Sequence, residues 1–173
     1  MQLQSIAKWV GAGGLAVALM ATPARTMAQG GGTVLKAADA QKMLPAAVYY
    51  KAQSANTQLR NSGGVKYADG YYMLATMVDT SGYSSDVASK YQAYLLTEVP
   101  IKINGKALPA GAWGIGFIGD NKFVVTDIGA HDVLTVSYAT DDAIKRPTPL
   151  QVLTDPSGGF RLYAGRKYVQ ITR

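Results

Sequence analysis

One histidine, one glutamate and ten aspartates make up the acid–base repertoire of this chain, and cysteine is absent. His131 stands beside Asp132 and four residues after Asp127, so any Ser-His-Asp hydrolase has to be built on it. The nearest serine cluster, Gly82-Tyr83-Ser84-Ser85-Asp86, lacks the second glycine of a nucleophile elbow. It is also not expected to join a strand to a helix. Gly129-Ala130-His131-Asp132 reads instead as a turn. A lone histidine argues against a multi-histidine zinc or copper site. The absence of thiols removes thiolate catalysis, iron–sulfur clusters and cysteine zinc sites.

The other chemical patterns are no more specific. Residues Asp79 to Asp86 are dense in oxygen ligands, but EF-hand spacing and a bidentate glutamate are missing. Glu98 has ten aspartates to pair with for glycoside hydrolysis, and no spacing selects one. Arg60, Arg146, Arg161 and Arg166 could converge on an anion, since guanidinium forks suit carboxylates and phosphates. Each reads more simply as a solvent-facing residue at a sheet border. Gly111-Ala112-Trp113-Gly114-Ile115-Gly116 falls on a strand with no helix after it, so it is not a phosphate cradle. The sequence nominates no catalytic residue, no metal ligand and no cofactor.

Tyrosine is the enriched type, with 11 residues against 3 Phe and 2 Trp. Strand propensity accounts for most of this, and recognition surfaces also favour Tyr. Binding residues follow from two hairpins tested for register. With Gly165-Arg166 as a two-residue, glycine-first turn, Leu162 pairs with Val169 and Phe160 with Ile171 on an apolar face. Tyr163 then pairs with Tyr168, and Arg161 with Gln170, on the opposite, polar-aromatic face. Arg161, Tyr163 and Tyr168 are therefore candidate binding residues. With Asp120-Asn121 as a two-residue turn, Phe117 faces Val124 and Ile115 faces Thr126, while Trp113 faces Ile128. The other face carries Gly114 and Gly116 opposite Asp127 and Val125, with Ile118 beside Phe123. Alternate glycines leave a shallow surface, so Gly114 and Gly116 are the second candidate binding position.

The elements that must position these residues are mainly strands. Residues 29–33 read as a flexible leader, and Lys36 to Leu44 as one short helix stopped by Pro45. Strands are expected over Ala47–Gln53, Thr57–Arg60, Val65–Tyr67, Tyr71–Val78, Val99–Ile103, Lys106–Leu108, Asp132–Tyr138 and Leu150–Thr154, besides the two hairpins. Ser89–Thr97 favours a strand after one helical turn, and Ala139–Lys145 has room for another such turn. Turns are expected at Asn61-Ser62-Gly63-Gly64, Ala68-Asp69-Gly70, Asn104-Gly105 and Asp155–Gly159. About ten short strands at this spacing predict an all-β fold, an antiparallel sandwich or flattened barrel. Strands of 4–7 residues fall short of the roughly 9–11 a membrane barrel needs.

The first 28 residues have the layout of a secretory signal peptide: Lys8, an apolar run from Trp9 to Met20, then small residues, with Ala24 or Ala28 as the cleavage position. The apolar run is too short to span a bilayer. Residues 29–173 are expected to form one β domain, secreted or periplasmic and not membrane-spanning. Losing Lys8 and Arg25 from 17 basic residues against 11 acidic leaves +4, scattered singly for the most part. That distribution does not suit a nucleic-acid stripe.

The run Ile103-Asn104-Gly105-Lys106-Ala107-Leu108-Pro109-Ala110-Gly111-Ala112-Trp113-Gly114 resembles a hairpin opening common in small exported bacterial β-sandwich domains of unknown function. The resemblance implies the fold and the compartment, and no activity. The leading expectation is a non-catalytic envelope or extracellular domain that binds or scaffolds, its partner an envelope protein, a glycan or a small ligand. Alternatives are a carrier of a small apolar ligand between the sheets, motivated by Gly114 and Gly116, and a hydrolase using His131.

Overall fold

The computed structural model describes residues 31–173; the signal-peptide reading falls on residues outside that range. The order of elements is β1 (Gly32–Leu35), α1 (Ala37–Ala40), β2 (Ala47–Tyr50), β3 (Gln53–Tyr67), β4 (Tyr72–Val78), α2 (Ser85–Lys90) and β5 (Ala93–Thr97). There follow β6 (Ile101–Ile103), β7 (Lys106–Leu108), β8 (Gly111–Ile118), β9 (Lys122–Thr126), β10 (Asp132–Ser137), β11 (Ala139–Thr140), β12 (Gln151–Thr154), β13 (Phe160–Ala164) and β14 (Lys167–Thr172). All pairings are antiparallel.

Two sheets result. One has eight strands in the order β1-β3-β4-β5-β8-β9-β10, with β2 on β3. The other has six in the order β12-β13-β14-β6-β7, with β11 on β14. The fold is thus the expected sandwich-like, all-β architecture. Its main core lies where period-two alternation turns one face of each sheet inward. Val65, Met73, Leu95, Ile115, Phe123 and Val125 come from the large sheet, and Ile101, Ile103, Leu108, Leu162, Val169 and Ile171 from the small one. Phe160, Leu162, Val169 and Ile171 share that layer as their pairing requires.

The outer face of the large sheet is also covered. Ala40 and Leu44 pack on Leu74. Further along the same face, Val48, Tyr50, Ala55, Val78 and Tyr91 form a second cluster under the β2–β3 hairpin and α2. The sheet is therefore buried on both sides, which explains continuous apolar stretches such as Tyr72–Val78.

Several local expectations are corrected. Gly32 and Thr33 are not a loose leader but part of β1, paired to Tyr67 and Lys66. The helix covers only Ala37–Ala40 and continues as turns. Ala47–Gln53 is not one strand: Lys51 and Ala52 both take positive φ (49° and 62°) and reverse the chain. Asn61-Ser62-Gly63-Gly64 is no turn. It lies within β3 at a register shift, where Gln58 faces Met77 but Ser62 faces Thr76, leaving residues 59–61 unpaired with β4. A Cβ on Gly64 would collide with the Met73 carbonyl oxygen, so glycine here permits close packing rather than a reversal. Residues 85–90 form α2, so the Gly82–Asp86 cluster does lie between a strand and a helix, against expectation, and β5 starts only at Ala93. Ala139 and Thr140 pair with β14 as a short strand.

The β8–β9 register is one residue off the expected one. Phe117 faces Phe123, Ile115 faces Val125, Gly116 faces Val124 and Gly114 faces Thr126. The connection is the three residues Gly119-Asp120-Asn121, with Asp120 and Asn121 both at positive φ. The slip gathers Phe117 and Phe123 into the core with ring centroids 4.8 Å apart.

Candidate functional site

The candidate binding residues fall on two separate surfaces, one on the outside of each sheet. Gly165, at φ +64°, starts the tight β13–β14 turn, and the pairing is the one the turn chemistry dictates: Tyr163 with Tyr168 and Arg161 with Gln170. Because Leu162 and Val169 point inward, Arg161, Tyr163, Tyr168 and Gln170 point outward.

Arg161 organises this face. Its Nε donates to Asp155 Oδ2 at 2.8 Å, and its guanidinium lies 4.4 Å from the Tyr168 ring centroid. Asp141 Oδ2 stands 3.6 Å from Nη1 and accepts the Tyr163 hydroxyl at 2.8 Å. The Tyr163 and Tyr168 rings are 5.2 Å apart. Asp155 Oδ1 also accepts the Ser157 hydroxyl at 2.7 Å and its N–H at 2.8 Å; Gln170 Nε2 donates to Ser157 Oγ at 3.0 Å. Burial pushes the Asp155 carboxyl up, but the hydrogen bonds from Arg161 and Ser157 outweigh it and hold the group below the ordinary carboxylate range. The Tyr163 phenol is raised, chiefly by burial.

Arg161, Asp155, Ser157, Tyr168 and Gln170, with Asn104, line an open concavity of about 410 Å³. Asn104 is fixed by the β6–β7 turn, at φ +46°, where it bonds the Ser137 carbonyl and the Gln170 N–H. A second concavity bearing Asn104, Ser137, Lys106 and Lys122 adjoins it. The guanidinium of Arg161 is engaged by this chain's own carboxylates. Its role is to hold Tyr168 and Asp155 in place rather than to seize an anion.

Sequence reasoning placed Arg161, Tyr163 and Tyr168 on one face, as the pairing has them, but did not bring Asp155, Ser157, Asn104 and Asp141 to it. The Asp155-Pro156-Ser157 stretch advertises an Asx turn, and Asp155 does accept the Ser157 N–H. That its second oxygen reaches Arg161 depends on tertiary placement.

Gly114 and Gly116 lie instead on the outer face of the large sheet, and the room they leave is taken by the protein itself. A Cβ at Gly116 would strike the Lys90 carbonyl, and one at Gly114 would lie 2.7 Å from Tyr91 and 2.8 Å from Tyr50. Tyr50 and Tyr91 stack at 3.6 Å over this strip, with the Tyr50 hydroxyl bonded to Thr126 at 2.7 Å. Burial raises the Tyr91 phenol, whose oxygen has no hydrogen-bond partner among the described residues. The four arginines do not converge: Arg166 bonds the Ile144 carbonyl, and Arg60 lies at the seam between β3 and β12.

His131 sits on a turn with its side chain 80% exposed. Its Nδ1 meets Asp127 Oδ2 at 3.0 Å, while Asp127 Oδ1 accepts the N–H groups of Gly129 and His131. Those bonds, the backbone one from His131 foremost, lower the Asp127 carboxyl. No serine is among the hydrogen-bond partners of His131. Asp79 likewise closes its own loop through the Ser81 N–H. Among the described residues no group of three or more His, Asp or Glu is placed to hold a metal, and no helix is long and apolar enough to cross a membrane. Comparison with protein-family models, with curated proteins and with solved structures returns no match.

Proposed function

We propose that this chain is an exported, non-catalytic recognition domain that binds a glycan of the cell envelope or its surroundings on the outer face of the six-stranded sheet. The observation that carries the reading is the hydrogen-bonded series Arg161–Asp155–Ser157–Gln170 and the neighbouring Tyr168, all lining one concavity. A sugar ring presents an apolar face and a rim of hydroxyls. An aromatic platform beside fixed donors and acceptors suits both. Since the protein groups already hold one another, little side-chain freedom is lost when a ligand arrives. Export rests on the leader-like residues 1–28.

The test is retention of the purified protein on isolated envelope polysaccharide, with Tyr168→Ala as the variant. Tyr168 is only partly buried, so the variant keeps its fold, as the amide spectrum will verify. An aromatic anchor at the centre of a site is worth about 2 kcal/mol, and binding should fall accordingly. Equal retention of wild type and variant would refute this surface as the site.

A further inference from the structure

The seam between the two sheets carries a second site, independent of the reading above. We propose that the cleft bounded by β1, the irregular stretch of β3 and β12 binds a small amphipathic carboxylate, an aliphatic chain ending in one negative charge. Both β1 and β12 are edge strands of their sheets, and they border the same cleft. The sheets approach closely here because residue 63 is glycine: a Cβ on Gly63 would stand 3.2 Å from the Val152 nitrogen. Immediately beside it, residues 59–61 lack partners on β4, an irregularity of the kind that interrupts a ladder and kinks a strand. The result is a cleft of about 320 Å³, at the lower end of the roughly 300–1,000 Å³ typical of small-molecule sites.

Its lining has two chemistries. Val34, Leu35, Leu150, Val152 and Leu153 are among its lining residues, which are apolar for the most part. Lys36 and Arg60 supply positive charge, and neither is paired with a carboxylate among the described residues. Arg161 on the other surface is, by contrast, neutralised by Asp155 and Asp141. A mostly apolar lining with unneutralised cations complements a ligand whose tail is greasy and whose head is anionic. A neutral apolar molecule leaves the charges unused, and a cation meets repulsion.

Octanoate, octanol and octylammonium are the probes, titrated into the isotopically labelled protein while amide shifts are followed. Octanoate should saturate one site, moving amides of residues 34–37, 60–63 and 150–153. Octanol and octylammonium should bind more weakly. Lys36→Ala combined with Arg60→Ala should weaken octanoate roughly tenfold, the scale of two solvent-exposed ion pairs, and leave octanol unchanged. Added salt should weaken octanoate alone. Both residues are exposed, so the double variant keeps the core intact. Equal binding of octanol and octanoate, no saturable octanoate binding, or shifts scattered over exposed apolar residues such as Tyr49 and Val133 would each overturn the proposal. Tyr168→Ala should have no effect on any of these titrations, so the two sites succeed or fail separately.

Discussion

Asp155 shows how one side chain ties chemistry to stability. Only 3% of its side chain is exposed, yet both oxygens are used, by Arg161, by Ser157 and by the Ser157 backbone. A carboxylate in such a place is tolerated because its charge is paired and its lone pairs are filled. Asp155→Asn keeps the shape but removes the charge from the Arg161 pair, and should cost about 1–3 kcal/mol in denaturant unfolding at neutral pH. The pH dependence has a definite sign. The folded carboxyl titrates below its unfolded value of about 3.9, so the stabilisation is complete above that pH and is lost as pH falls through the folded value. The wild type should therefore lose stability more steeply than Asp155→Asn on acidification below about pH 4. Parallel acid limbs for the two proteins would show that the pair contributes nothing.

At the scale of elements, the turns decide what pairs with what. Lys51 and Ala52 occupy left-handed conformations that cost a side-chain-bearing residue roughly 1 kcal/mol or more. Replacing them with Asn-Gly, the pair that suits two positive φ angles in a two-residue hairpin, should stabilise the fold by about 1 kcal/mol. In a chain of this size that corresponds to a rise in Tm of about 2–4 °C, measurable by calorimetry. An unchanged or lowered Tm would mean that the Lys51 contact to the Gly129 carbonyl, at 3.4 Å, outweighs the backbone strain. The same turns explain what could be read in advance. Gly165 and Asn104-Gly105 name their own conformation, so the β13–β14 and β6–β7 pairings, and with them the face bearing Arg161 and Tyr168, were visible in the sequence. Lys51-Ala52 carries no such mark, and two expected strand residues form a reversal. Gly119-Asp120-Asn121 admits a loop of two residues or of three, and the inward demand of Phe123 and Val125 selects three. At Gly63-Gly64 the glycines answer to atoms distant in sequence, Val152 and Met73, which no local pattern reports.

For the whole molecule, the decisive feature is that the last strand is central. β14 lies between β13 and β6, with β11 also bonded to it, so the small sheet is assembled around this strand. Val169 and Ile171 are fully buried against residues from both sheets. Arg173 then crosses to the large sheet, where it pairs with Asp69 and lies 5.1 Å over the Tyr67 ring. No disulfide can substitute for this closure, because the chain has no cysteine. A chain ending at Arg166 leaves β13 and β6 without their shared neighbour and exposes one side of the core formed by Ile103, Ile115 and Leu162. Burial of a large aliphatic side chain is worth about 1.5–3 kcal/mol, and the two fully buried residues lost from β14 remove much of the roughly 5–15 kcal/mol by which a domain is stable. The truncated chain should therefore show no cooperative thermal transition and no dispersed amide spectrum, even with every strand of the large sheet intact in sequence. If it instead melted cooperatively with a reduced amplitude, the large sheet and its outer tyrosine cluster would be a folding unit of their own, and the small sheet with its Tyr168 face a dependent addition.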